Sequence, residues 1–154
     1  MIKSELTFTI PLLIASPKCY WIWSYRRWIL DKAVELLPTP AARRIWEEEL
    51  GLAGKMLIKD RRNFHAWNYR RAVVAQLESA ELDGRSMVQS EFDYTTAMIK
   101  QDLSNFSAWH TRSKLIPRLL NEKRADDTAR KDFLETGRSW SSQYSILILV
   151  LEQS

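Results

Sequence analysis

Lys18, Tyr20, Arg62 and His65 are the side chains of this sequence whose types and placement suit chemistry. An ammonium and a guanidinium are charged donors, and a guanidinium can grip two phosphate oxygens at once. A phenol and an imidazole beside them add further donors. If the four meet on one rim of the fold, they form a site for a phosphate-rich anion. Ordinary solvated charge on exposed turns is the plainer reading of the same lysine and arginine, and the residues alone leave both open. Other chemistries are poorly served. One cysteine, Cys19, and two histidines, His65 and His110, cannot make a four-ligand zinc cluster, so no metal ligands are assigned to this chain. His110 has no partner at nucleophile spacing. Glu47, Glu48 and Glu49 read as a solvated helix face, and no glycine-rich phosphate loop occurs.

The elements that must position these residues are written as a repeat. Ser16–Arg27 (SPKCYWIWSYRR), Asp60–Arg71 (DRRNFHAWNYRR) and Asp102–Ser113 (DLSNFSAWHTRS) align without gaps. Their anchors are Trp23, Trp67 and Trp109, spaced 44 and 42 residues apart. Three residues before each stands an aromatic (Tyr20, Phe64, Phe106), and three after each an arginine (Arg26, Arg70, Arg112). Seven before each is a turn-forming residue: Ser16, Asp60 or Asp102. Helical spacing predicts that the tryptophans and the aromatics ahead of them form the core between hairpins. Each arginine is expected either to stack on the tryptophan one turn earlier or to bridge a neighbouring repeat's carboxylate. Departures from the repeat carry more information. Five residues before the tryptophan the sequence has Lys18, Arg62 and Ser104, and two before it Trp21, His65 and Ser107.

Between the motifs the pattern is helical. Ile45, Trp46, Leu50, Ala53, Met56 and Leu57 recur at three- and four-residue intervals, and Asn63 and Asn105 stand where an N-cap belongs. Breaks are expected at Leu37–Thr39, Ser79–Gly84 and Asn121–Asp127, with helices resuming near Ala41 and Arg85 and a short helix over Thr128–Thr136. Pro117 is expected to kink the third motif's helix or end it at Ile116. The fold class is therefore all-α, an α–α superhelix of hairpins that bury their faces by stacking. Four Gly and five Pro among 154 residues suit such long elements. A net charge of +4 without a dense basic stripe argues against a nucleic-acid partner. Ile146–Leu151 is too short to span a bilayer, so a cytoplasmic protein is expected.

PKCYWIWSYRRWIL, DRRNFHAWNYRRAV and NFSAWHTRSKLIPRLL resemble the repeats of protein prenyltransferase α subunits, and within that family those of the type II, Rab-directed geranylgeranyltransferases of fungal kind. The resemblance runs from about Glu5 to Phe133. It implies three such repeats within residues 1–136 (motifs 16–27, 60–71 and 102–113) and an atypical tail over 137–154, as in a truncated chain. It implies a heterodimer with a β subunit that carries the catalytic zinc and the lipid pocket, with no cofactor bound by this chain. The partners implied are geranylgeranyl diphosphate and a Rab GTPase, with or without an escort protein. Lys18 and Tyr20 would face the diphosphate as the catalytic contribution, and His65, with Arg62 and Phe64, would help bind substrate. Thr111 stands where the family commonly has an aromatic residue. The alternatives are the α subunit shared by farnesyl and type I enzymes, and a non-catalytic scaffold of tetratricopeptide kind.

Overall fold

The computed structural model describes residues 1–152, with side chains over 1–139. Its α-helices are α1 (Ile2–Ala15), α2 (Tyr20–Leu36), α3 (Thr39–Lys59), α4 (Phe64–Leu77), α5 (Val88–Gln101), α6 (Phe106–Glu122) and α7 (Asp127–Glu152), with a 3₁₀ turn at Ala80–Leu82. No strand occurs among the described residues. The pairs α1/α2, α3/α4 and α5/α6 are the three hairpins, and each anchor tryptophan lies on the second helix of its pair.

Local chemistry explains the boundaries. Pro40 lies in the first turn of α3, where a missing N–H costs nothing. The Asn63 side chain accepts from the His65 and Ala66 amides at 3.1 and 3.4 Å, and Asn105 accepts from the Ala108 amide at 3.1 Å. Both act as the expected N-caps. Between α4 and α5 the chain turns through Asp83, whose φ is 51°. At Gly84 an added Cβ would lie 2.2 Å from the Leu77 carbonyl oxygen, so no larger residue fits there.

Several expectations need correction. Helix α6 runs through Pro117 to Glu122 instead of ending at Ile116. Pro117 and Ser113, whose carbonyl loses its partner, both face solvent, so water can replace the lost bond. Helix α7 begins at Asp127 and continues without a break past residue 136 to Glu152. The side chains of Ile146–Leu151 lie outside the described residues. The aromatics three residues before the tryptophans are not core: Tyr20, Phe64 and Phe106 are 60%, 59% and 84% exposed. Each is the first residue of its helix, with no preceding turn to cover it. Trp23 and Trp67 are buried and Trp109 is partly buried, all in the main hydrophobic cluster.

Two of the three arginines, Arg26 and Arg70, settle on one of their two expected roles. Arg26 Nε and Nη2 donate to Glu49 of α3 at 3.2 and 2.5 Å, and Arg70 Nε and Nη2 donate to Glu91 of α5 at 3.0 and 2.7 Å. Both pairs are buried. Each arginine thus reaches into the first helix of the following hairpin. Stacking also occurs, on rings of the first helices. Arg70 lies 3.5 Å from the centre of the Tyr94 ring and Arg112 lies 3.9 Å from that of Phe92. Glu49 is accordingly no solvated side chain, whereas Glu47 and Glu48 stay on the surface, paired with Arg43 and Lys3. The Tyr69 hydroxyl donates to Glu49 at 2.5 Å, and burial, with Glu49 beside it, drives its pKa far above the ordinary phenol value.

Candidate functional site along the turn rim

One set of turns (residues 16–19, 60–63 and 102–105) leads into the three second helices and lies along one edge of the array. These turns are built alike. Indole Nε1 of Trp23, Trp67 and Trp109 donates to the carbonyl six residues earlier, on Pro17, Arg61 and Leu103, at 2.8, 2.8 and 2.9 Å. The Pro17 carbonyl also accepts from Asn63 Nδ2 at 2.9 Å, and the Arg61 carbonyl from Asn105 Nδ2 at 2.8 Å. One oxygen therefore ties Trp23, and another Trp67, to its own turn and to the next hairpin. The first helical residues, with Tyr20, Phe64 and His65 among them, are placed by these joints.

Charge runs along the same rim in series. Lys18 Nζ lies 3.4 Å from Asp60 Oδ2, and Arg62 donates to both oxygens of Asp102 at 2.7 and 2.9 Å. Asp60 and Asp102 also accept amides of their own turns, from Arg62 at 3.0 Å and Ser104 at 3.1 Å. The hydrogen bond from Arg62 holds the Asp102 carboxyl below its ordinary pKa, and Asp102 raises that of Arg62. Lys18 and Arg62 are thus successive rungs and do not converge on one point. Tyr20 and His65 do approach each other across two hairpins, with ring centres 6.5 Å apart, while Phe64 stacks on His65 at 4.1 Å.

Tyr20 and His65 border a surface groove of about 400 Å³ whose walls include Arg27, Trp28, Asn68 and Tyr69. Trp28 is stacked on Tyr25 with 6.0 Å between centres. Such a groove offers aromatic faces, an imidazole and a guanidinium to a ligand with apolar and anionic parts. Arg27, Trp28 and Asn68 were not picked out from sequence. The signal available for Arg27 was the doubled Arg of the first two motifs, whose counterpart Arg71 donates instead to Thr111 Oγ1 at 2.9 Å. Arg62 and Lys18 are not among the groove's walls. Among the described residues no group of three or more His, Cys, Asp or Glu could hold a metal ion.

A sequence profile described as the protein prenyltransferase alpha subunit repeat matches residues 2–33, 46–77 and 88–119. Each range lies within one of the three hairpins. The chain is 42% identical over 125 residues to the geranylgeranyl transferase type-2 subunit alpha of Candida albicans, covering 79% of this chain and 32% of that protein. It is 38% identical over 136 residues to the protein of the same name from Saccharomyces cerevisiae, covering 88% and 39%. For the human protein of that name the identity is 37% over 119 residues, covering 77% and 18%. The chain spans well under half the length of each of these relatives.

Proposed function

Because the chain belongs to the protein prenyltransferase α-subunit repeat family, we propose that it forms part of the α subunit of a type II geranylgeranyltransferase. In this reading it acts with a β subunit to move geranylgeranyl from its diphosphate to C-terminal cysteines of Rab GTPases in the cytoplasm. No helix among the described residues is long and apolar enough to cross a membrane. The observation that carries the site assignment is the approach of Tyr20 and His65 across two hairpins, beside the rim on which Lys18 is exposed.

In the proposed reaction a substrate cysteine thiolate attacks C1 of the lipid. The C–S bond forms as the C1–O bond breaks, and the bonding pair leaves with the diphosphate. Zinc is assigned to the β subunit, and no step is routed through a metal on this chain. The task left to this chain is to meet charge that grows on the leaving oxygen, where preorganised donors are most effective. Lys18 suits that task because its link to Asp60 is an exposed pair, of a kind worth about 0–1 kcal/mol, and is readily exchanged for a diphosphate oxygen. Tyr20 supplies a phenol donor, and His65, backed by Phe64, lines the approach. Arg62 is held in two bonds to Asp102 and is assigned a supporting role in binding.

The test is co-expression with a fungal type II β subunit followed by affinity capture and a prenylation assay on a Rab GTPase. Capture of the β subunit by the wild type and by a Tyr20→Ala, His65→Ala variant alike, together with transfer of geranylgeranyl in preference to farnesyl that the variant loses, supports the reading. A correctly folded chain that captures no β subunit overturns it.

A further inference from the structure

Arg71 follows Arg70 on α4 but takes no part in the buried arginine–glutamate ladder. Its guanidinium is partly buried between α4 and α6, where it donates to Thr111 Oγ1 at 2.9 Å and to Asn68 Oδ1. Both partners are neutral, and no carboxylate pairs with it among the described residues. Burial lowers its pKa, and no neighbouring carboxylate offsets the fall. A guanidinium partly withdrawn from water among neutral groups carries a cost that a counter-charge would relieve.

The repeat shows which group is missing. Arg27 holds the same position one hairpin earlier, and Asp31, one turn further along α2, lies 3.3 Å from its Nε. On α4 the place of Asp31 is taken by Ala75, and on α6 the place of Tyr69 is taken by Thr111. Nor does any other acid stand close in sequence. Helix α4 contains no Asp or Glu, and α6 contains none before Glu122. Lys114, one turn beyond Thr111, is exposed and has no carboxylate partner among the described residues, and His110 is exposed as well. Two of the five N–H groups of Arg71 are taken, so those that remain suffice to grip both oxygens of a carboxylate. Arg71 is not among the walls of the groove beside Tyr20 and His65, so a ligand held there leaves it uncompensated. Without enclosing walls a small anion stays in competition with water, whereas a protein surface brings its own enclosure. Arginine is among the residues that concentrate binding energy in such contacts.

We propose that Arg71 is the centre of an electropositive docking surface on α4 and α6, and that its occupant is an acidic side chain of the β subunit. That carboxylate closes the pair that Ala75 leaves open. The argument for this occupant is charge complementarity with an acid-free face, and the inference rests on the reading of this chain as part of an α subunit.

Titration of the full chain with a fungal type II β subunit, at low and at physiological salt, tests this, with the melting temperature of the chain alone measured in parallel. Arg71→Met should weaken binding at least about thirtyfold and flatten its dependence on salt. The free variant should melt no lower than wild type, because an uncompensated guanidinium has been removed. Arg71→Glu sets one carboxylate against another and should weaken binding further. Arg71→Lys keeps the charge but not the fork, so its affinity should lie between those of wild type and Arg71→Met. If the wild type binds the β subunit and Arg71→Met binds it equally well, the inference is overturned and the proposed function stands. A folded wild type that binds no β subunit overturns that function, and the inference with it. A free Arg71→Met chain that melts well below wild type gives the arginine a structural role and refutes the proposal. So does inorganic diphosphate that stabilises the free wild type but not Arg71→Met, since the site then holds a small anion. If Arg71→Glu does not fold, Arg71→Met and Arg71→Lys decide: wild-type affinity in both is a refutation.

Discussion

Lys18 is 71% exposed on the rim, and only its repeat position and its neighbours distinguish it from any other surface lysine. Arg62 and Ser104 fill the same place in the following hairpins, so the fold does not require an ammonium there. Lys18→Ala, in a complex of the β subunit with a full-length α framework, should lower single-turnover prenylation by about 10²–10³ while lipid affinity falls less, because the charge it meets is greatest in the transition state. An unchanged chemical step with collapsed lipid binding would reduce Lys18 to a binding residue. Trp67 is a structural counterpart. It is fully buried, packs on Tyr94 and holds the Arg61 carbonyl through its indole. Trp67→Ala should cost about 3–5 kcal/mol in chemical denaturation, and a wild-type midpoint would contradict the register. The tryptophan register was readable because a large side chain at a constant position has one way to be buried. The aromatic three residues earlier was misread because a three-residue step implies a shared face only when a turn of helix precedes it. The acids opposite Lys18 and Arg62 looked like turn residues alone, since pairs 42 and 40 positions apart have no local signature.

At the scale of the elements, α4 and α6 start where an asparagine caps them, and the same asparagine reaches the preceding hairpin. An N-cap removal typically costs about 1 kcal/mol. Asn63→Ala should cost more, about 2 kcal/mol, because the bond to the Pro17 carbonyl is lost with the cap. Asn63→Asp separates the two contributions: a carboxylate can still cap α4 but cannot donate to Pro17. If Asn63→Asp is as stable as wild type in urea, the inter-hairpin bond contributes nothing. The ladder between hairpins should be more sensitive still. Arg70→Ala leaves Glu91 buried without its partner and should destabilise by about 3–5 kcal/mol. A neighbouring carboxylate is one of the two partners the sequence offers these arginines, but Glu49 is hidden within a run of three glutamates whose other two do face water. Only the helix phase separates them, and it is set by how α3 rolls against α2.

Across the whole molecule, the depressed carboxyls give stability a definite dependence on acid. Asp102 is lowered chiefly by its bonds from Arg62. Glu78 is raised by burial but lowered overall by Arg118 and the Met87 amide. A carboxyl whose folded pKa lies below its unfolded one adds stability above the unfolded value and loses it as pH falls through the folded one. The melting temperature should therefore hold near neutrality and fall once pH drops below about 4. Arg62→Gln should shrink that fall, since the unfolded and folded pKa values of Asp102 then draw together; an unaltered acid limb would show that the rim pair is energetically silent.

The doubly used carbonyls of Pro17 and Arg61 bear on how such an array could be recombined. Donor, acceptor and the six-residue arc between them all lie in one turn and the helix start that follows it, while the second donor comes from the matching turn of the next unit. A crossover placed within a first helix, such as α3 or α5, leaves each indole with the carbonyl of its own turn, and the asparagine bond to that carbonyl then joins the two parents through a backbone oxygen that either parent supplies. A crossover inside the arc separates an indole from the oxygen it was shaped to meet. Chimaeras between relatives should thus tolerate seams in mid-helix and fail at seams in the very loops where splicing is usually attempted.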